Sequence, residues 1–551
     1  MMNRRNFLKT SIVAGNIGFI KPVVVLAAPE KKPTGYFGVH PFVENHPEAV
    51  FIMRTDVDIK TNAEAKKNTG LEFARTVIVP ADKTGIPLTH KISVKPNLTA
   101  HRPQDERFTL EDTMGICTDP DFVEGIIEGM KAMGISGSQF YIRDVNSARI
   151  IEPRGYVALA KRTGADIRTS NERVGVISEN DLQWADVPGG VVFRRIPYLW
   201  PMNAPDTWTI NLAKFKAHTM GITLTCKNFQ GSVASPYQGF CQKWENIKRL
   251  DQKDVNPTIE QDIAANLKRH AGTLPRWDKP EIKRDDPKYM RPYHYDVLCM
   301  EIWTHRTLDN LSVSPMGLCV IEGIYGRDGD FNNGPNPLGN ENNWDGRAWD
   351  YMTNILIFGK NPFRVDLIGK WLGGHEPGNF GFFHIAMERG MLNVMNPMNI
   401  PVYRWENGTA VREPLVSFTR TPLRSSYLRQ DYNGRNEPLF HLCDEPFDYS
   451  TVNEEKLSYP PKPQSKVLNQ GYPTSYYPGV AIEYCIPRRG SVMVEILDEK
   501  GDTREVIVNA LDEPGYHMAS WNTGRYASGK YMYRFRFEDF SETKEIMLQK
   551  A

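Results

Sequence analysis

The run Asp119-Pro-Asp-Phe-Val-Glu-Gly-Ile-Ile-Glu-Gly-Met-Lys-Ala-Met133 decides the fold. Asp119 is an N-cap candidate, Pro120 suits a first helical turn, and apolar residues at 122, 123, 126, 127, 130 and 133 share one face. This is an amphipathic helix, and Gly134 stops it. Before it, Lys91-Ile-Ser-Val-Lys95-Pro-Asn97 reads as a strand that Pro96 should end, because proline donates nothing to a ladder. After it, Ser138-Gln-Phe-Tyr-Ile-Arg-Asp144 reads as the next strand. Strand, helix and strand at this spacing predict a parallel sheet with right-handed crossovers. The fold class expected is α/β, a mostly parallel sheet with flanking helices.

Further along, Trp208-Thr-Ile-Asn-Leu212 alternates like a strand and leads into Asn211-Leu-Ala-Lys-Phe-Lys-Ala-His-Thr-Met-Gly-Ile-Thr-Leu-Thr-Cys-Lys-Asn-Phe-Gln-Gly231. Three lysines (214, 216 and 227), His218 and two asparagines (211 and 228) are interleaved here with Phe215, Met220, Ile222, Leu224 and Phe229. Cations, amide donors and one group titrating near neutrality suit an anionic ligand. A solvated basic loop would not need the apolar residues. Three candidate strands then deliver polar groups at their carboxyl ends: Lys95 with Asn97, Asp144 with Asn146, and Asn211 leading into Lys214. Open α/β sheets bind ligands at that edge.

The chain has 551 residues, too many for one ordinary core, so two or three domains are expected. Composition is that of a globular protein, 40% hydrophobic and 24% charged, and no internal apolar run reaches bilayer-spanning length. The start, Met1-Met-Asn-Arg4-Arg5-Asn-Phe7-Leu8-Lys9, runs into an apolar stretch ending at Ala27 and Ala28, with no acidic residue before Glu30. Residues 1–28 therefore read as an export signal of twin-arginine character, and the mature chain is expected in the periplasm or at the cell surface. Removing Arg4, Arg5, Lys9 and Lys21 takes the formal charge from +1 to −3. That balance gives no reason to expect nucleic acid. Seven scattered cysteines form no C-x-x-C pair, so neither an iron–sulfur run nor a structural zinc pattern is present, and most read as small buried hydrophobes.

In order, Ala49-Val-Phe-Ile-Met-Arg54 is a short strand candidate, and 232–295 reads as an insertion or lid with helical patches at 257–270. The sheet resumes at Met316-Gly-Leu-Cys-Val-Ile-Glu322 and Asn354-Ile-Leu-Ile-Phe358. Between them Asp328, Asp330 and Asn332 alternate like calcium ligands, but Asn333 stands where a calcium loop needs glycine, so a ligand loop or plain turn is expected. Asp366 precedes an apolar helix through Trp371, and His375 and His384 are ligand candidates that singly are more often satisfied structural histidines. Residues 401–475 show little periodicity and read as a linker or wrapping segment closing the 29–400 core. From 476 to 551 short alternating runs such as Ser491–Leu497 and Arg504–Val508, with glycine turns, indicate a small all-β sandwich.

Val94-Lys95-Pro96-Asn97-Leu98, Asn211-Leu-Ala-Lys214-Phe-Lys216-Ala-His218, Cys226-Lys227-Asn228-Phe-Gln-Gly231 and Asn361-Pro362-Phe-Arg-Val-Asp366 resemble the domain-of-unknown-function three-hundred-sixty-two family over about residues 90–392. Some of its members travel with ferredoxin-type cluster segments, whose cysteines this chain lacks. Gly515-Tyr-His, Trp521-Asn, Ala527-Ser528-Gly529-Lys-Tyr531-Met-Tyr533 and Glu542–Leu548 resemble the immunoglobulin-like carboxy-terminal sorting domains of type nine secretion cargo and the related flagellar hook-cap module. That resemblance implies an export address or an attachment, with export machinery and envelope or surface proteins as partners.

The expected function is that of an exported protein binding an anionic small molecule or cofactor. Lys95, Lys214, Lys216 and Lys227 would hold the anion, and Asn97, Asn211 and Asn228 would orient it. His218 is the acid–base candidate, with Lys214 and Asp144 beside it in the catalytic set. Asp144 and Asp366 either complete a polar or metal-assisted centre or cap helices. Neither a cofactor nor a metal is named by any motif. The alternative is a non-catalytic surface or envelope-complex scaffold, since no nucleophile constellation such as G-x-S-x-G appears.

Overall fold

The computed structural model describes residues 35–99, 108–145, 151–168, 181–218, 221–235, 237, 250–251, 253–256, 297–314, 316–329, 349–424, 442–444, 446–452, 454, 467–468, 472–473, 479–512 and 515–548. The proposed export signal, the 257–270 patches, Asn146, Asp330 and Asn332 lie outside these residues.

The helix read from sequence spans Pro120–Lys131. Asp119 caps it, its Oδ1 accepting from the Asp121 and Phe122 amides at 2.9 and 3.3 Å. Its partner helix, Ala63–Val77, is capped by Asn62. The two cross with almost no room between backbones: a Cβ on Gly125 would lie 2.0 Å from the Lys67 carbonyl oxygen. On either side in sequence stand the strands Lys91–Pro96 and Phe140–Arg143, paired in parallel.

They belong to a mixed sheet. Its parallel part runs, side by side, Asp166–Arg168, Phe140–Arg143, Lys91–Pro96, Thr207–His218 and Met316–Asp328. Trp349–Gly359 then joins antiparallel, followed by Val50–Arg54, Val402–Glu406 and Thr409–Arg412. The last two strands lie in the 401–475 stretch whose sequence shows little periodicity. They form a hairpin turning at Asn407 and Gly408, whose φ angles of 51° and 76° suit a tight two-residue connection.

Side chains of successive strand residues point to opposite faces, and here both faces are covered. Ile210, Leu212, Leu318 and Val320 pack against Phe73, Phe122 and Ile126 on one side. Ala213, Phe215, Cys319 and Ile321 pack on the other against Val365, Ile368 and Leu372 of the helix Pro362–Leu372. Helices Val297–Ser312 and Gly381–Glu388 contribute to that second layer.

The strand expected to end near Leu212 continues to His218, buried from Trp208 onward. The basic stretch therefore begins as central strand rather than as loop. Similarly, Gly326, Arg327 and Asp328 extend the Met316 strand, and Arg424 grips Asp328 with Nη2–Oδ2 at 2.6 Å. No helix among the described residues is long and apolar enough to cross a membrane.

The carboxy-terminal strands are antiparallel. Gly479–Ile486 pairs with Gly515–Asn522, while Thr503–Asp512, Gly490–Leu497, Gly529–Phe537 and Phe540–Leu548 form a second sheet. Ile482 and Trp521 from the first sheet share a hydrophobic core with Val494, Ile496, Tyr533 and Phe535 from the second.

The glycine crossing yields a direct expectation. Gly125→Ala should lower the urea unfolding free energy of the α/β body by about 1–3 kcal/mol through overpacking, whereas Gly501→Ala, in an exposed turn of the carboxy-terminal strands, should leave that transition unmoved.

Candidate functional site

The period of two along Thr207–His218 sends Asn211 to one face and Lys214, Lys216 and His218 to the other. Lys214 sits directly beside Glu322 in the parallel register. Its Nζ lies 2.8 and 2.6 Å from the two Glu322 oxygens and 3.4 Å from the Tyr325 ring centre. The Tyr325 hydroxyl donates to Asp119 Oδ2 at 2.5 Å, and Lys66 donates to the same oxygen at 2.7 Å. Asp119 thus caps a helix with one oxygen and joins two side chains with the other. Burial pushes the Glu322 carboxyl up and the Lys214 ammonium down, and each partner opposes the push on the other. Lys214 is a structural ion-pair member here, already neutralised.

On the opposite face Lys95 stands beside Asn211. Its Nζ donates to Asp144 Oδ2 at 2.6 Å, to the Pro96 carbonyl at 2.6 Å and to Asn228 Oδ1 at 3.2 Å. Asn228 in turn donates to Asn211 Oδ1 at 2.7 Å, and Asn97 donates to Asn228 Oδ1 at 3.0 Å. Five of the residues singled out from sequence therefore meet: Lys95, Asn97, Asp144, Asn211 and Asn228. Burial lowers the Lys95 pKa, with Asp144 opposing.

At the carboxyl end of the central strand lies a third group. Lys216 is fully buried, and its Nζ donates to the Ile116 carbonyl at 2.5 Å. Burial lowers its pKa well below the usual value, and the positive charges of Lys227, Arg154 and Arg327 push the same way, with only the Cys117 thiol opposing among the leading influences. His218 behaves alike: burial first, then Lys227 and Lys216, hold its pKa well below the ordinary histidine value. The direction matches what neighbouring lysines alone would impose, but desolvation leads. Half-buried Lys227 acts on both.

With the geometry in hand, the comparisons have a context. The profile of the family described as Domain of unknown function (DUF362) matches residues 92–369, half of the chain. The chain belongs to this family. No curated protein matches it. The family region contains Lys95, Asn97, Asp144, Asn211, Lys214, Lys216, His218, Lys227, Asn228 and Asp366, whereas His375, Arg424 and the carboxy-terminal strands fall outside it.

Asp366 is a cap. Its Oδ1 accepts from the Thr225 amide at 2.7 Å and its Oδ2 from the Cys226 amide at 2.9 Å, closing the start of the short helix Thr225–Asn228. That helix end is occupied by a protein carboxylate. His375 bridges the Cys443 amide and the Leu423 carbonyl, and His384 bonds the Gly378 carbonyl, so both join chain segments. Cys117, Cys226, Cys319, Cys443 and Cys485 are buried. Among the described residues no group of three or more His, Cys, Asp or Glu is placed to hold a metal ion.

Glu322, Tyr325, Lys66, Arg154 and Arg327 escape a reading that begins from cationic motifs. Glu322 had a signal: it is the lone carboxylate in the otherwise uncharged run Met316–Tyr325, and such a residue in a buried strand needs a cation.

Two outcomes follow. Glu322→Gln should cost about 3–5 kcal/mol by leaving Lys214 buried without its carboxylate, while the double change Lys214→Met with Glu322→Leu should cost clearly less; urea unfolding of both variants measures this. For His218, a depressed folded pKa means the unfolded chain binds more protons in acid, so its contribution to stability is complete above about pH 6.5 and shrinks as pH falls. His218→Gln should flatten the stability profile below that pH by up to about 1.4 kcal/mol per pH unit. His40, whose pKa burial lowers to about 3, keeps its own slope in that variant.

Proposed function

We propose that this is an exported protein that binds an anionic small molecule or cofactor at the carboxyl edge of its parallel strands and acts on it enzymatically. The observation that carries the reading is Lys216. It is buried at the end of the central strand, anchored on the Ile116 carbonyl, with the positive charges of Lys227, Arg154 and Arg327 acting on it. Arg327 is itself paired with Asp350, Nη1–Oδ1 at 3.1 Å, and an anion bound beside Lys216 would favour its charged form against the burial that opposes it. In this reading Lys216 and Lys227 hold the anion. His218 is a neutral imidazole ready to accept a proton from the bound molecule. Asn97 orients the ligand, Asn228 fixes Asn97 and is itself held by Lys95 and Asn211, and Lys214 with Glu322 stiffens the strand beneath.

Export rests on the Arg4-Arg5 leader and on the resemblance of residues 515–548 to sorting domains, and it implies the periplasm or cell surface, with export machinery as a partner. A second reading, a non-catalytic scaffold docked in an envelope complex, draws on the separate core of the carboxy-terminal strands. Purification from the native host separates the two: a bound small anion favours the enzyme, stoichiometric protein partners favour the scaffold.

An anion near Lys216 and His218 raises both depressed pKa values, so binding must take up protons and tighten as pH falls. Calorimetry with pyrophosphate in two buffers of different ionisation enthalpy should show net proton uptake near neutrality. Lys216→Met with Lys227→Gln should weaken binding about tenfold or more. Binding without proton uptake, unchanged in that double variant, would remove these residues from the site.

A further inference from the structure

Three asparagines on the Lys95 side form a chain whose direction is settled at both ends. The Thr225 carbonyl can only accept, and it takes Asn211 Nδ2 at 2.9 Å. Asn211 must then offer Oδ1 to Asn228 Nδ2, which also donates to the Lys95 carbonyl at 3.1 Å. The Lys95 ammonium can only donate, and it points at Asn228 Oδ1. Asn97 reaches that same oxygen and so must reach it with Nδ2. Turning any one of these amides over would set donor against donor or acceptor against acceptor.

The last member therefore presents its carbonyl. Asn97 Oδ1 is buried, in a residue only 9% exposed, and among the described residues it accepts no hydrogen bond. Its backbone is held rigidly: the amide donates to Thr118 Oγ1 at 2.8 Å and the carbonyl accepts from the Thr118 amide at 3.0 Å. Lys216 is anchored two residues away on the same segment, at Ile116. A buried acceptor left unsatisfied is costly, so the arrangement calls for a donor. A metal cation is disfavoured, because the Lys95 ammonium already shares Asn228 Oδ1 and Lys216 and Lys227 lie at the same edge.

We propose that the anion bound at this edge carries its own hydrogen-bond donor next to its charge, and that Asn97 Oδ1 accepts from it, as in hydrogen phosphate or a 2-hydroxycarboxylate. The proposal rests on the anion-binding reading and narrows it to a ligand class. Calorimetry on the mature full-length protein at neutral pH with two matched pairs tests it. Inorganic phosphate and sulfate are similar in shape, but only phosphate retains an O–H; lactate and propionate differ in the hydroxyl alone. The pair that binds identifies the source. Its donor-bearing member should bind about tenfold more tightly, as expected for one buried hydrogen bond gained. Asn97→Ala should bring that ratio near one while leaving sulfate or propionate affinity within about twofold. Equal affinities within every binding pair in the wild type overturn the proposal, as does a tenfold preference that survives Asn97→Ala. Should that variant fail to fold, the wild-type ratios decide alone. If none of the four anions binds while pyrophosphate does, this inference falls alone; if pyrophosphate fails too, the anion reading falls with it.

Discussion

The central strand Thr207–His218 has a parallel neighbour on each edge and a packed layer on each face, so its polar side chains have no access to bulk water as a partner. Its lysines above all must be answered by protein, since a buried ammonium without a counter-charge or hydrogen bonds costs several kcal/mol or neutralises itself. That requirement organises much of what surrounds the strand. Lys214 needs Glu322 in register on the next strand. Glu322 accepts the Asp119 amide, and Asp119 gathers Tyr325 and Lys66. One buried lysine thereby ties the sheet to the helix Pro120–Lys131 and to the helix Ala63–Val77.

Much of this scaffold is legible in the sequence because it depends on local pattern. The helix after Asp119, its flanking strands and the alternation from residue 491 onward are periodicities that packing then uses unchanged. The hairpin at Asn407-Gly408 escapes the reading of 401–475 as a linker or wrapping segment: that dipeptide is a strong turn signal, but the surrounding prolines and polar residues hide it. The length of the central strand was not legible. Lys214, Lys216 and His218 look like surface residues by composition, and the Glu322 carboxylate and the Ile116 carbonyl, 108 and 100 residues away in sequence, help make the two lysines tolerable inside.

The candidate site divides along the same line. Lys95, Asn97, Asn211 and Asn228 were recognisable as amide-and-lysine clusters near strand ends, and the parallel register sets Lys95 beside Asn211. The role of each depends on partners that no local pattern announces. A lysine facing Glu322 and a lysine facing Lys227, Arg154 and Arg327 have the same neighbours in sequence and opposite electrostatics in space. Asp366, the last residue of a conspicuous motif, serves as a cap for the Thr225–Asn228 helix, which leaves the cations rather than that helix end to receive an anion.

The period of two along the central strand also determines where chemistry can happen. Asn211 with its amide chain lies on one face of the sheet, and Lys216 with His218 on the other, with the sheet itself between them. No small molecule can touch both sets alongside the strand. Past the strand ends the barrier stops: Asn97 follows the Lys91–Pro96 strand, His218 closes the central one, and Lys227 on the short helix Thr225–Asn228 acts on both Lys216 and His218. A ligand that meets an amide carbonyl and a cation together therefore has to sit on the carboxyl edge, where the two faces of one strand come within reach of a single molecule.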